Sequence, residues 1–182
     1  MSSYLSKTVI TAAIIGSGLT FGYKQYTKDV TIVYNDCSNE PEVVNKLIKE
    51  KTSRKPICIS YRIPIKAENS LLTPETMVES MFSSLTMVPE KIILWCITSK
   101  YEPMTKQIGH SIFGMFKVEV LNPKIAVLNW KLGKMEGLHI YHRNENVAMF
   151  DTIVWSSGTI SPLLEQFHHI YSKLLLVSAV NS

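Results

Sequence analysis

The sequence predicts an α+β protein, in which an antiparallel sheet and a long C-terminal helix are preceded by an N-terminal transmembrane helix. Residues 8–23 form an uncharged run between lysines. The second half of the chain changes from helical to alternating apolar spacing, and residues 163–180 carry a broad apolar stripe at helical spacing. We therefore divide the 182 residues into an anchor (1–28), a connector with a surface helix (29–55) and one α+β domain (56–182).

The anchor is predicted from the run TVITAAIIGSGLTFGY at residues 8–23, with Lys7 before it and Lys24 after it. Backbone amides in hydrocarbon must be satisfied within their own segment, which a helix achieves. The run rises roughly 24 Å as a helix, against a hydrocarbon core of roughly 30 Å, and nearby tyrosines suit the interfaces. Because the first arginine is Arg54, we expect an uncleaved anchor instead of a transit peptide. A cleaved signal peptide and a helix of a soluble domain are the alternatives.

The anchor indicates a single-pass protein of a mitochondrial membrane, with the endoplasmic reticulum membrane as the alternative. A short, moderately hydrophobic span with flanking lysines is typical of signal-anchored mitochondrial proteins. Positive charges are nearly balanced across the span, so the positive-inside rule selects no orientation. Gly18 and Gly22 form a small-xxx-small pair, which lets a second membrane helix approach closely. Membrane lipid and another membrane protein are therefore the expected partners.

Charge and cysteine content exclude several classes of function. The net charge of +4 comes from sixteen lysines and three arginines, with no basic cluster beyond residues 46–55. A nucleic-acid partner is not expected, because such domains concentrate their basic residues. Cys37, Cys58 and Cys96 are widely spaced and odd in number, which favours reduced thiols over a disulfide framework and provides no CxxC metal site.

The connector and the start of the domain are predicted to contain a possible strand, a helix and a clear strand. The possible strand covers residues 30–34. Pro41 suits the first turn of a helix, and apolar residues then recur at helical spacing. Residues 57–65 alternate β-branched or aromatic side chains with polar ones, which predicts a strand. The predicted helix is a surface helix whose one apolar face consists of Val43, Val44, Leu47 and Ile48.

Two short consecutive helices are predicted next. Thr73, Pro74 and Glu75 supply a capping residue, a proline at the first helical position and an acid in the first turn. The second helix is predicted to begin at Pro89, with a kinked joint after Val88, because a proline restricts the residue before it.

The second half predicts an antiparallel meander followed by a helix. Strand signals cover residues 113–121, 125–132, 137–142 and 147–155, separated by turn residues, which gives five clear sheet strands in the whole chain. Ser161 and Pro162 then begin the C-terminal helix.

This order resembles the helix-grip architecture of the START and polyketide-cyclase group, in which a curved antiparallel sheet wraps the last helix. The resemblance covers about residues 57–180. It rests on the element order and on the segments FSSLTMVPEKIILW, NPKIAVLNWKLGKMEGLHIY and FHHIYSKLLLVSAV. The last segment is similar to that of small mitochondrial membrane-anchored members. The group has seven sheet strands, and the resemblance implies a cavity between sheet and helix.

The last strand has apolar residues on both faces, which a one-sided antiparallel sheet does not need. The second face would pack on helices, line a lipid-sized pocket, or contact a membrane or partner. We expect a non-catalytic, membrane-anchored protein that binds or transfers an apolar ligand such as a lipid or quinone. The alternative is an assembly factor that binds another membrane protein. The expected ligand-lining residues are Met115, Trp130, Phe150, Asp151, Trp155 and Tyr171.

Asp151 and the histidines are the candidates for a polar cluster. A carboxylate on an apolar strand face costs several kcal/mol unless it is paired or protonated, so Asp151 requires a partner. His139 and His142 fall on opposite strand faces, while His168 and His169 diverge by about 100° on a helix. Neither pair has the spacing of a zinc site. The expected cluster consists of His139, Asp151 and His168, formed when the last helix packs on the sheet.

Catalytic motifs are absent from the sequence. It contains no Walker loop, no GxSxG, no HExxH and no EF-hand spacing. A pair formed by a histidine with Cys58 or Cys96 stays open as a nucleophilic site. We expect no catalytic residues, no metal and no cofactor, and favour a protein that is not an enzyme.

Overall fold

The computed structural model describes residues 23–66, 69, 71–88, 107–112, 114–132, 135–156 and 162–181. The anchor predicted at 8–23 and the helix predicted to begin at Pro89 lie outside these residues, apart from Tyr23. Within them, no helix combines the length and the apolar character needed to cross a membrane.

The described strands form one antiparallel sheet of seven strands, in the order β1-β2-β7-β6-β5-β4-β3. Their bounds are β1 Thr31–Asn35, β2 Ile57–Pro64, β3 Ser111–Ile112, β4 Phe116–Leu121, β5 Ile125–Leu132, β6 Met135–Arg143 and β7 Val147–Ser156. The helices are α1 Glu42–Lys51, α2 Pro74–Ser83 and α3 Pro162–Val180. The prediction of an α+β protein with an antiparallel sheet and a C-terminal helix is confirmed.

The strand count differs from the five clear strands predicted. The possible strand at residues 30–34 is β1, which pairs with β2. The single strand predicted over 113–121 was wrong at its start, because Gly114 adopts a φ of 67° and the chain reverses there. Ile112 in β3 consequently lies opposite Phe116 in β4. Positive φ values are accessible to glycine at little cost, so Gly114 is the sequence signal for this turn.

The helix starts agree with the capping signals. The Thr73 hydroxyl accepts a hydrogen bond from the Thr76 amide at 3.2 Å, and the Thr76 hydroxyl accepts one from the Thr73 amide at 2.8 Å. This reciprocal pair is a capping box, which satisfies two amides that the first helical turn leaves free. Pro41 is the N-cap of α1 and lies one residue before its expected place in the first turn.

The two faces of the sheet are covered by different helices, which explains the two apolar faces of β7. On the α3 face, α2 and α3 pack on side chains that include Tyr61, Trp130 and Phe150. On the α1 face, Val44 and Ile48 of α1 pack on side chains from four central strands, including Cys58, Val127, Ile140 and Ile153. Burying both faces removes large apolar areas from water, and each fully buried large side chain contributes about 1.5–3 kcal/mol.

A disulfide joins Cys37 to Cys58, so the prediction of reduced thiols was wrong for this pair. Asn35 at the end of β1 lies opposite Cys58 in β2, and the chain then makes a 3-10 turn over Cys37–Asn39. This brings the two cysteine Cα atoms to 5.5 Å, within the range that a disulfide requires. The pairing depends on the register of β1 on β2, which the spacing of cysteines in the sequence does not reveal.

Candidate functional site

His139 and His168 meet on the α3 face of the sheet. His139 in β6 lies opposite Thr152 in β7. His168 in α3 forms a hydrogen bond from its Nε2 to the Thr152 hydroxyl at 3.1 Å, and the two imidazole centroids lie 6.4 Å apart. The structure thus brings together two members of the expected cluster of His139, Asp151 and His168.

The imidazole of His139 is enclosed by aromatic rings and is only 6% exposed. Its centroid lies 5.0 Å from that of Phe150, 5.5 Å from that of Trp130 and 5.7 Å from that of Phe116. Burial lowers the pKa of His139 well below its ordinary value, and the neighbouring His168 lowers it further. His139 is therefore neutral at pH 7, with one ring nitrogen as a donor and the other as an acceptor.

Three polar atoms of this aromatic enclosure are buried without a hydrogen-bond partner. They are both ring nitrogens of His139 and the indole Nε1 of Trp130. An unsatisfied buried polar group costs about 1–3 kcal/mol, and such groups are rare in folded proteins. The two side chains together offer two donors and one acceptor, which can bind a small polar group of a ligand.

Gly137 permits the position of the Trp130 indole. The two residues lie opposite each other in β6 and β5. A Cβ added at Gly137 would lie 2.9 Å from Trp130 Cε2 and Cζ2, and 2.3 Å from the backbone oxygen of Ile153. A glycine inside a strand often marks such a close approach, so Gly137 is a sequence signal for the site that the predicted residue set did not include.

His169 attaches α3 to β1 and β2, the two strands at one edge of the sheet. Hydrogen bonds join its Nδ1 to the Tyr61 hydroxyl at 2.8 Å and its Nε2 to the Tyr34 hydroxyl at 3.4 Å. Burial raises the pKa of Tyr61, which keeps its hydroxyl protonated. Because His168 and His169 diverge around the helix, they bind different strands, β7 and β2.

Asp151 lies on the α1 face, opposite to the face of His139. It is 3% exposed, and its Oδ2 is hydrogen-bonded to Nε2 of His142 on the neighbouring strand. The partner that Asp151 requires is thus present, while its Oδ1 is buried without one. Burial and, to a smaller extent, the negative charge of Asp151 raise the pKa of Glu40 to about 7, and His142 opposes this shift.

The expected ligand-lining residues divide between the two faces. Trp130 and Phe150 lie on the α3 face, and Met115 and Tyr171 pack against the same cluster. Trp155 lies with the α1-face cluster, as does Asp151. Alternation along β7 accounts for the division, because Phe150 points to one face and Asp151 and Trp155 to the other. The same alternation places Thr152 beside Phe150, and this partner of His168 was not among the predicted site residues.

Metal binding and known relatives give no further indication of function. Among the residues that the structure describes, no group of three His, Cys, Asp or Glu side chains could hold a metal ion. Comparison with protein-family models, curated proteins and solved structures finds no match to this chain.

Proposed function

We propose that this protein binds an apolar ligand with a polar group between the sheet and α3, and does so without catalysing a reaction. The observation that carries this proposal is the set of three unpartnered polar atoms on His139 and Trp130. A helix-sheet interface that serves packing alone would be more stable with apolar side chains in their place. A ligand group that hydrogen-bonds to them would remove the cost of burying them.

The way in which α3 is attached to the sheet supports entry of the ligand at the N-terminal part of this helix. The N-terminal part of the helix is attached through His168 and His169, whereas the C-terminal part packs through buried apolar side chains. Phe167, 57% exposed, stacks on Tyr171 near the polar attachments. Separating His168 and His169 from the sheet breaks three hydrogen bonds, each with a net contribution of about 1 kcal/mol. The buried apolar side chains of the C-terminal part are Leu175, Leu176, Val177, Ala179 and Val180.

The predicted anchor would place this ligand site at a membrane. We propose a helix-grip-like protein held by residues 8–23 in a mitochondrial membrane, with the endoplasmic reticulum as the alternative. A lipid or quinone is present in such membranes at high local concentration, and the site would receive it directly from the bilayer.

Ligand recovery tests the proposed function. The full chain is purified in nanodiscs, and organic compounds released by denaturation are quantified by mass spectrometry. We expect the wild type to retain a compound in near-stoichiometric amount above empty nanodiscs, and His139→Leu to lose it. Trp155→Phe, on the opposite face, is the matched control and should retain it. Equal amounts in the wild type, His139→Leu and empty nanodiscs would contradict the proposal.

Exposed apolar side chains favour a second candidate function, an assembly factor that binds another membrane protein. Leu85 is 87% exposed and Phe167 is 57% exposed. Residues 85–88 run along α3, because Thr86 hydrogen-bonds Ser178 and the Tyr171 hydroxyl donates to Met87 Sδ. Crosslinking in the native membrane separates the candidates, since an assembly factor yields a stoichiometric protein adduct that Phe167→Ser weakens, whereas a ligand carrier yields none.

A further inference from the structure

We infer that the polar group of the ligand is uncharged, a carbonyl or hydroxyl that accepts a hydrogen bond from Trp130 and pairs with His139. This inference rests on the proposed function and specifies the chemical class that the site accepts. It excludes ligands that would place a carboxylate or phosphate beside these two side chains.

The first argument concerns formal charge near the site. His139 has ring contacts with three aromatic side chains and with His168, and lies opposite Leu128 and Thr152 in the neighbouring strands. The buried acids within the described residues are Glu40 and Asp151, and both belong to the opposite face. An anion placed beside His139 would therefore lose its hydration without gaining a lysine or arginine partner from the described residues.

The second argument concerns the protonation of the two histidines. Burial lowers the pKa of His168 to about 4, and lowers that of His139 well below its ordinary value. Neither imidazole supplies a positive charge at neutral pH. A neutral imidazole and an indole present two N–H donors and one nitrogen acceptor, which match a hydroxyl, or a carbonyl that receives both N–H groups.

The third argument is geometric. The Thr152 hydroxyl already bonds His168, so His139 and Trp130 retain the free polar atoms. Their rings lie 5.5 Å apart on adjacent strands, on one face. A ligand oxygen that approaches the edges of the two rings would meet their unpartnered nitrogens. A phosphate carries several charged oxygens, and those not bonded to these nitrogens would face the apolar rings of Phe116 and Phe150.

Fluorescence of Trp130 tests the inference. The probe protein is the full chain with Trp95→Phe and Trp155→Phe, in nanodiscs, so that Trp130 is its remaining tryptophan. Three probes with equal chain length are titrated at pH 8: 1-dodecanol, 2-dodecanone and dodecanoate. Empty nanodiscs correct for partition into the bilayer. We expect the alcohol and the ketone to perturb Trp130 emission and to bind at least about tenfold more tightly than dodecanoate.

Two variants test the role of His139. In the same background, His139→Leu should weaken 2-dodecanone by about fivefold, and His139→Gln, which retains a donor and an acceptor, should restore most of the affinity. Circular dichroism checks that both variants are folded. Should His139→Leu not fold, the comparison of wild-type His139 with His139→Gln and the dodecanoate titration still decide the matter.

The outcomes distinguish the inference from the proposed function. Dodecanoate binding as tightly as the two neutral probes would overturn the inference and leave the proposed function intact. An unperturbed Trp130 with all three probes would contradict the proposed function itself and the inference with it.

Discussion

Nε2 of His168 and the hydroxyl of Thr152 form a 3.1 Å hydrogen bond that joins α3 to the centre of the sheet. The imidazole lies in a mostly buried position, and burial lowers the pKa of His168 to about 4. The burial of His168 in this position thus couples the docking of the last helix to pH.

Acidification should destabilise the protein through His168. Between pH 6.5 and about 4, the imidazole binds a proton in the unfolded state but not in the folded state. The contribution of His168 to the free energy of unfolding is therefore fully present above pH 6.5 and is lost as pH decreases towards 4. In thermal unfolding, the free energy of unfolding of His168→Gln should vary less with pH than that of the wild type, by up to about 3 kcal/mol over this range. The exposed His110 provides the control, because His110→Gln should retain the wild-type slope. Identical slopes for wild type and His168→Gln would refute the assignment.

Glu40 should have the opposite pH dependence. Its pKa is about 7 in the folded state, so the folded carboxyl retains a proton that the unfolded one releases between pH 4.5 and 7, and stability falls as pH rises. We expect Glu40→Gln to stabilise the protein by about 2–3 kcal/mol at pH 8 and to have little effect at pH 4.5. Glu42→Gln, at an exposed position two residues away, should leave the profile unchanged. Chemical denaturation at the two pH values measures the difference.

Removing the disulfide should lower the melting temperature. Cys37 and Cys58 are 21 residues apart, and closing a loop of this length contributes about 3 kcal/mol. The Cys37→Ala and Cys58→Ala double variant, and the reduced wild type, should both show this loss in calorimetry. Peptide mapping without reductant should recover the linked pair in Cys96→Ser as in the wild type. Recovery of both cysteines as free thiols from freshly isolated protein would argue against the pair.

Gly137→Ala should destabilise the sheet by about 2–4 kcal/mol, because the new Cβ would overlap the Ile153 backbone oxygen and the Trp130 indole. The double variant with Trp130→Leu isolates the indole contact, since it removes one overlap and leaves the other. We expect the two substitutions to be less costly together than the sum of their separate effects, measured by urea unfolding. Simple additivity would show that the indole does not rest on Gly137.

Local patterns in the sequence predicted single elements better than relations between them. Alternation along β6 correctly separated His139 from His142, and the cost of a buried carboxylate correctly required a partner for Asp151. The identity of that partner, His142, depends on the register of β6 on β7, and the separation of Asp151 from His168 depends on which face α3 covers. The Cys37 disulfide likewise depends on strand register, which no local pattern specifies.

The pairing of β2 with β7 has a consequence for the order of events during synthesis. Ile57 lies opposite Val154, so the second strand waits for nearly a hundred further residues before its neighbour exists. The meander β4–β7 can assemble from local contacts, but the β1–β2 pair has no sheet to join until Val147–Ser156 has left the ribosome. The β1–β2 pair would therefore stay undocked until most of the chain has been synthesised.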